Sequence, residues 1–127
     1  MLLDELKYRL PHDLRKVGLP VDDVDIYLRP YSKTFYGRYY PVAIGSSVKP
    51  RLFIYPLYNK SGDLLPYDTI FKVALHEFGH HKQFSNKKYV RVKGVMHDTE
   101  FWKVYNELLK KAEKMGIIRG EVLEKIS

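Results

Sequence analysis

The 127-residue chain contains no cysteine. This absence excludes disulfides, thiol nucleophiles and every metal site built on thiolate ligands. A metal ion in this protein would therefore be bound by histidine and carboxylate side chains. The chain also lacks an apolar run approaching the roughly 20 residues that a membrane-spanning helix needs. Residues 1–10 mix acidic and basic side chains, unlike a signal peptide. We expect a cytoplasmic protein with no membrane partner.

The charge balance is basic and the composition is that of a globular protein. Lys and Arg total 22 against 15 Asp and Glu, a net charge of +7, and 45% of the residues are hydrophobic. Such a composition supports a packed core and excludes an intrinsically disordered chain. A chain of this length forms one domain rather than two with separate cores. We expect a single domain over residues 1–127.

Hydrophobic spacing predicts helices at both ends of the chain and strands between them. Apolar residues at three- and four-residue steps indicate an amphipathic N-terminal helix, with a break or kink near Pro11 and an end at Gly18. These apolar residues are Leu3, Leu6, Leu10, Leu14 and Val17. Alternation of apolar and polar residues predicts a strand over residues 24–28.

Two further strands are expected, over residues 39–44 and residues 51–58, followed by a turn around Gly62. Pro56 cannot donate a hydrogen bond to a neighbouring strand, so we expect a sheet edge or a strand end there. A helix follows from Asp68, with Asp68 or Thr69 as its N-cap. Its buried face is predicted to comprise Ile70, Val73, Ala74 and Phe78.

A last strong helix is predicted over residues 98–115, ended by Gly116 at the position after its C-cap. Its apolar face is expected to contain Phe101, Val104, Tyr105, Leu108 and Ala112. The whole pattern indicates one α+β domain.

The segment His76-Glu77-Phe78-Gly79-His80 has the HExxH pattern and lies within a predicted helix. His76 and His80 are four residues apart, so both imidazoles project from one face and can bind the same ion. A zinc ion with three protein ligands lowers the pKa of water at its open position to about 7. Glu77 is then the expected general base toward that water. Gly79 is costly inside a helix, which indicates that another segment approaches the site closely.

The third ligand is predicted to be His97, which directly precedes the last helix. His81 points about 100° away from His80 around the helix and is not expected to bind the same ion. The metzincin pattern would require Gly and His where this chain has Gln83 and Asn86, so that class is excluded.

The segments HEFGHH and HDTEFW resemble those of the SprT-like zinc metallopeptidases, over roughly residues 24–112. The resemblance implies one zinc ion bound by His76, His80 and His97, with Glu77 as the catalytic base. It also implies a small zincin-like α+β fold with an N-terminal helix, a twisted three-stranded sheet, the HExxH helix and a C-terminal helix. The peptide substrate would lie along an edge strand by β-addition. That strand is expected to comprise Arg51, Leu52, Phe53, Ile54 and Tyr55.

Two departures from the family pattern concern the metal ligands. Asp98 stands where SprT-like sequences commonly have Gly after the third His, and the cysteine zinc ribbon of many relatives cannot form. The chain is also similar to minimal gluzincin-like peptidases, in which a Glu on the second helix replaces the third His. Glu100 or Glu107 would then be the ligand, and we favour His97 over Glu100 and Glu100 over Glu107.

The residue that stabilises the oxyanion is less well defined, because the chain has 11 tyrosines. Tyr55 and Tyr89 are candidates by position, as is Tyr36.

Cations and aromatic residues alternate between residues 29 and 40, a pattern that can follow a phosphate backbone and stack bases. The residues are Arg29, Tyr31, Lys33, Phe35, Tyr36, Arg38, Tyr39 and Tyr40, and a second basic segment covers residues 82–93. SprT-like proteases are associated with protein bound to DNA, which adds to this hypothesis. A solvated basic surface is the competing interpretation.

The sequence therefore predicts a zinc metallopeptidase that hydrolyses peptide bonds in peptide or protein substrates. One alternative is a basic nucleic-acid-binding module with a structural or vestigial metal site. Another is a peptidase core that is autoinhibited by residues 117–127 or by self-association. Substrate preference and oligomeric state are not encoded in any motif of the chain.

Overall fold

The computed structural model describes residues 2–30, 32, 35–42, 47–58, 60–85, 97 and 99–119. These residues form three α-helices, one short 3-10 helix over Val21–Asp23 and three strands. The helices are α1 (Leu3–Lys16), α2 (Tyr67–Ser85) and α3 (Thr99–Lys114). The strands are β1 (Asp25–Leu28), β2 (Gly37–Tyr40) and β3 (Arg51–Ile54). The predicted α+β class is confirmed.

The sheet has the order β1-β3-β2, with β1 parallel and β2 antiparallel to β3. The prediction that residues 51–55 form an edge strand is therefore wrong, because β3 is hydrogen-bonded on both sides. Pro56 does not interrupt this pairing, since β3 ends at Ile54 before the proline is reached. The edges of the described sheet are β1 and β2.

One face of the sheet packs on the helices. Leu52 and Ile54 of β3 are fully buried, and they face the apolar side of α2. On α2 that side comprises the fully buried Ile70, Phe71, Ala74, Leu75 and Phe78, with Val73 partly buried beside them. Helix α3 packs against α2 through Phe101, Leu108, Leu109 and Ala112, and α1 closes the core with Leu6, Leu10 and Leu14. The predicted apolar faces of α2 and α3 are confirmed, and so is that of α1 except at Leu3, whose side chain is 42% exposed.

Helix α1 runs through Pro11 without a break, so of the predicted break or kink the break is wrong. Proline removes only the hydrogen bond to the carbonyl of Lys7, and Lys7 is exposed, so water can satisfy that oxygen. The helix ends as predicted at Gly18, which has φ +85°. The N–H of Gly18 donates to the Arg15 carbonyl, and the N–H of Leu19 donates to the Leu14 carbonyl. This pair of bonds is a Schellman motif.

Helix α3 ends with the same motif at Gly116, which has φ +73°. The N–H of Gly116 donates to the Glu113 carbonyl, and the N–H of Ile117 donates to the Ala112 carbonyl. The predicted C-terminal end of this helix is confirmed.

Helix α2 begins at Tyr67, so the prediction that Asp68 or Thr69 is its N-cap is wrong. The N–H of Ile70 donates to the Pro66 carbonyl, so helical hydrogen bonding already begins at the proline. Asp68 instead accepts a hydrogen bond from the Arg119 N–H at 3.1 Å. Helix α1 is joined to the start of α2 by the Tyr67 hydroxyl, which donates to Asp13 at 2.6 Å.

The other predicted boundaries need small corrections. Strand β2 begins at Gly37, two residues before the predicted start, and residues 43–46 lie outside the described residues. The turn predicted around Gly62 is present, with φ +74° at the glycine. Within the described residues, no helix is both long and apolar enough to cross a membrane.

Candidate metal centre

Three histidine side chains meet between α2 and the start of α3. His76 and His80 project from the same face of α2, as their four-residue spacing requires, and His97 comes just before α3. The Nε2 atom of His97 lies 3.0 Å from Nε2 of His76 and 3.1 Å from Nε2 of His80. The potential ligand atoms of all three residues lie within 4.8 Å of one another.

This His76-His80-His97 cluster could hold a metal ion. A tetrahedral zinc ion with bonds of about 2.05 Å to nitrogen separates neighbouring ligand atoms by about 3.3 Å. The two separations at His97 are close to that value. Burial, together with the nearby His80 and His97, lowers the pKa of His76 to about 4, so its imidazole is neutral at neutral pH. Neutral imidazoles are the form that binds metal ions.

Gln83 orients the imidazole of His80. The Nδ1–H group of His80 donates a 2.9 Å hydrogen bond to Oε1 of Gln83, and both side chains are buried. With the proton on Nδ1, the lone pair of Nε2 points toward the cluster. From the sequence alone, Gln83 served only to exclude the metzincin pattern and was not predicted to contact a metal ligand. Its position three residues after His80, on the same helix face, is the signal that could have identified it.

The ring of Phe101 supports all three histidines from α3. Its centroid lies 4.9 Å from that of His76, 4.7 Å from His80 and 4.9 Å from His97. A Cβ atom placed on Gly79 would lie 2.7 Å from Cε2 of Phe101. The predicted close approach at Gly79 is therefore confirmed, and α3 is the segment that approaches.

Two further aromatic residues of α3 border the cluster. The ring centroid of Trp102 lies 5.7 Å from that of His97 and 6.2 Å from His76, and its side chain is 43% exposed. The centroid of Tyr105 lies 5.7 Å from that of His76. The sequence placed Tyr105 only on an apolar helix face. Its role beside the histidines depends on how α3 crosses α2, which no local pattern encodes.

Glu77 is buried beside the cluster, under strand β2. It is 6% exposed, and this burial raises the pKa of its carboxyl to about 7, while the charge of Arg38 acts in the opposite direction. A Cβ atom on Gly37 would lie 2.5 Å from Cγ1 of Val73 and 3.1 Å from Cγ of Glu77. Only a glycine allows β2 to lie this close to α2 at the glutamate.

A cleft of about 360 Å³ opens beside Glu77 and His76. Its walls come from β2, α2 and α3, and they comprise Tyr36, Gly37, Thr69, Lys72, Val73, His76, Glu77 and Tyr105. The cleft therefore opens onto His76 of the cluster and onto the buried carboxylate of Glu77.

Other predicted site residues lie elsewhere. His81 points away from the cluster, as predicted, and its Nδ1 lies 2.8 Å from the Tyr39 hydroxyl. Glu100 and Glu107 are exposed on α3 and are not members of the histidine cluster. Tyr36 lines the cleft, whereas Tyr89 lies outside the described residues.

Tyr55 does not reach the cleft, so the prediction that it stabilises the oxyanion is not supported. Its ring packs against Phe53 and Phe35, with centroids 6.5 and 5.3 Å apart, on the sheet face that is turned away from α2.

The described residues of the predicted autoinhibitory tail, 117–119, are not among those that line the cleft. Ile118 is buried in the core, and the N–H of Arg119 is bonded to Asp68. Residues 120–127 lie outside the described residues.

Comparison of the chain with protein-family models, characterised proteins and solved structures gave no match. The resemblance to SprT-like peptidases therefore stays a prediction that depends on the motif residues alone.

Proposed function

We propose that this protein is a zinc-dependent peptidase that uses Glu77 as its general base. The observation that carries the proposal is the convergence of three histidine side chains beside a buried carboxylate, with His76 and Glu77 both lining an open cleft. Three imidazole nitrogen donors suit zinc better than the harder ions calcium and magnesium, which prefer oxygen ligands.

A divalent ion in such a site acts as a Lewis acid toward a carbonyl and makes water more acidic. The residues of the chain supply the proton transfer. Glu77 accepts a proton from the attacking water at its carboxylate and then delivers it to the nitrogen of the leaving amine. The carboxylate is mostly buried under β2 but lines the cleft, where the attacking water and a substrate would meet it.

Strand β2 is the proposed site of substrate pairing, in place of the β3 segment expected from the sequence. Among the described residues, β2 pairs with β3 alone, and it lies directly over Glu77 at Gly37. An extended peptide added to the free edge of β2 would present its main chain to the cleft through backbone hydrogen bonds.

The test begins with the metal content of the purified protein and its hydrolysis of a denatured protein substrate. We expect one zinc ion per chain, and we expect Glu77→Gln to abolish hydrolysis while keeping the zinc. Glu107→Gln, on the exposed surface of α3, is the matched control and should keep both properties. Hydrolysis by protein freed of metal with a chelator would overturn the proposal.

The third ligand is tested with the same measurements. His97→Ala should lose zinc, whereas Glu100→Gln should retain it, because only His97 belongs to the cluster. Loss of zinc in Glu100→Gln together with retention in His97→Ala would identify the gluzincin-like ligand set instead.

A second candidate function, binding of single-stranded nucleic acid, is favoured by the outer face of the sheet. The rings of Tyr27 and Phe53 stack with centroids 5.1 Å apart, and Tyr40 meets Phe53 edge-on at 5.4 Å. Arg29 and Arg51 both lie over the Phe53 ring, at 5.6 and 5.9 Å from its centroid. Exposed rings can stack bases, and arginines can contact phosphates.

This surface is tested by titrating a fluorescent oligothymidine at several salt concentrations. Removing both charges in Arg29→Gln/Arg51→Gln should reduce the slope of log K against log salt by about 1.4, since each phosphate contact contributes about 0.7. Lys103→Gln/Lys110→Gln removes the same charge from exposed positions of α3 and is the control. Equal slopes for the two double variants would exclude the sheet face as the binding site.

A further inference from the structure

The cleft beside Glu77 and His76 also contains a lysine side chain. Lys72 lines the cleft and is partly buried there, one helical turn before His76 on α2. Residues four apart lie on the same helix face, so the Lys72 side chain shares the face that presents His76. Among the described residues that line the cleft, Glu77 is the one carboxylate and Lys72 the one lysine or arginine.

We propose that Lys72 forms a subsite for a substrate carboxylate next to the bond that is cut, which makes the protein selective for acidic peptides. The inference rests on the proposed peptidase function. The group that Lys72 would bind is a carboxylate, which an acidic side chain or the C-terminus of the peptide can supply.

The distances along the helix fit this assignment. Four residues of α-helix rise about 6 Å, so Lys72 is displaced by that distance from His76 along α2. An extended peptide advances about 3.3 Å per residue, so the same distance spans about two substrate residues. A carboxylate one or two residues from the scissile bond can therefore reach the ammonium group.

The other side chains that line the cleft beside Lys72 include uncharged ones from three elements. Tyr36 borders the cleft from the β2 side and Tyr105 borders it from α3, while Val73 and Thr69 line it from α2. Partial burial between these side chains strengthens a charge pair relative to one in open water.

The charge of the whole chain works in the same direction. A net charge of +7 attracts acidic peptides and raises their rate of encounter at low salt. That general attraction does not depend on the position of one lysine. A variant that loses a different lysine, and so has the same net charge as the Lys72 variant, separates the two effects.

The test uses blocked fluorogenic peptides that differ only by Glu or Gln at the positions flanking the scissile bond. For the metal-loaded wild-type protein we expect kcat/KM to be about three- to tenfold higher for the Glu peptide, the size of a partly exposed charge pair. Lys72→Met should reduce this ratio to about one, and Lys72→Arg should preserve most of it. Lys110→Met removes the same charge from an exposed position of α3 and should leave the ratio unchanged.

A third peptide, with Gln at these positions and a free C-terminus close to the scissile bond, identifies the source of the carboxylate. Faster cleavage of this peptide than of its amidated form, with a dependence on Lys72, would assign the subsite to terminal carboxylates. Equal kcat/KM values for the Glu, Gln and free-terminus peptides would overturn the subsite and leave the peptidase proposal intact.

A binding measurement separates failure of the subsite from failure of the peptidase proposal. In metal-loaded Glu77→Gln, fluorescence anisotropy should show tighter binding of the Glu peptide than of the Gln peptide, and Lys72→Met should remove the difference. If the wild-type protein cleaves nothing while this difference in binding persists, the peptidase proposal fails and the carboxylate subsite stands. If the difference is equally large with and without Lys72, the subsite is refuted.

Discussion

Replacing Gly79 by alanine should destabilise the protein, although alanine is the better helix former. The substitution gains about 1 kcal/mol of helix propensity relative to glycine. The new Cβ atom would lie 2.7 Å from Cε2 of Phe101, closer than carbon atoms approach without displacement. Overpacking of a filled core costs about 1–3 kcal/mol, so we expect a net loss of about 1 kcal/mol.

Phe101 cannot relieve this contact cheaply, because its ring is fully buried and lies within 4.9 Å of three imidazole centroids. Any shift of the ring therefore displaces His76, His80 or His97. We expect Gly79→Ala to weaken metal binding as well as folding.

Urea denaturation of the metal-free protein measures the loss of folding stability without a contribution from bound metal. Competition with a chromogenic chelator measures the loss of metal affinity. The matched control is Gly79→Ala in a Phe101→Leu background, where the smaller side chain leaves room for the methyl group. There the alanine should be neutral or stabilising by up to about 1 kcal/mol, which is the helix propensity alone. If Gly79→Ala stabilised the protein by the same amount with Phe101 present, the predicted clash with Phe101 would be refuted.

Three other substitutions test contacts that the structure reveals. Gln83→Leu should weaken metal binding about 10- to 100-fold in chelator competition, because His80 loses the acceptor for its Nδ1–H, while Gln83→Glu should retain affinity. Equal metal affinities of Gln83→Leu and Gln83→Glu would exclude a role of Gln83 in orienting His80. Tyr67→Phe removes a 2.6 Å hydrogen bond to the buried Asp13 and should cost about 1–3 kcal/mol in urea denaturation. Gly116→Ala should cost about 1 kcal/mol because φ is +73° at this position, and an unchanged urea midpoint would contradict it.

Much of the metal centre could be predicted from the sequence because it is encoded locally. His76, Glu77 and His80 acquire their relative directions from helical geometry alone. The ends of α1 and α3 were predictable for the same reason, since Gly18 and Gly116 supply the positive φ that a Schellman motif needs.

The start of α2 and the order of the strands were predicted less well. Asp68 has the chemistry of an N-cap, but the helix begins one residue earlier and the carboxylate accepts a hydrogen bond from Arg119 instead. Residues 51–54 have the same alternation whether they lie at an edge or in the centre of a sheet. Only their pairing with both β1 and β2 distinguishes the two arrangements.

The sequence by itself determined the fold class, the helix that carries the HExxH residues and the exclusion of thiolate ligands, because these follow from periodicity, spacing and composition. The tertiary structure alone decided which strand lies over Glu77, that Phe101 supports the three imidazoles, and that Lys72 and Tyr105 face the same cleft. These relations join residues far apart in the chain. They depend on how buried surfaces of separate elements fit together, which no local pattern specifies.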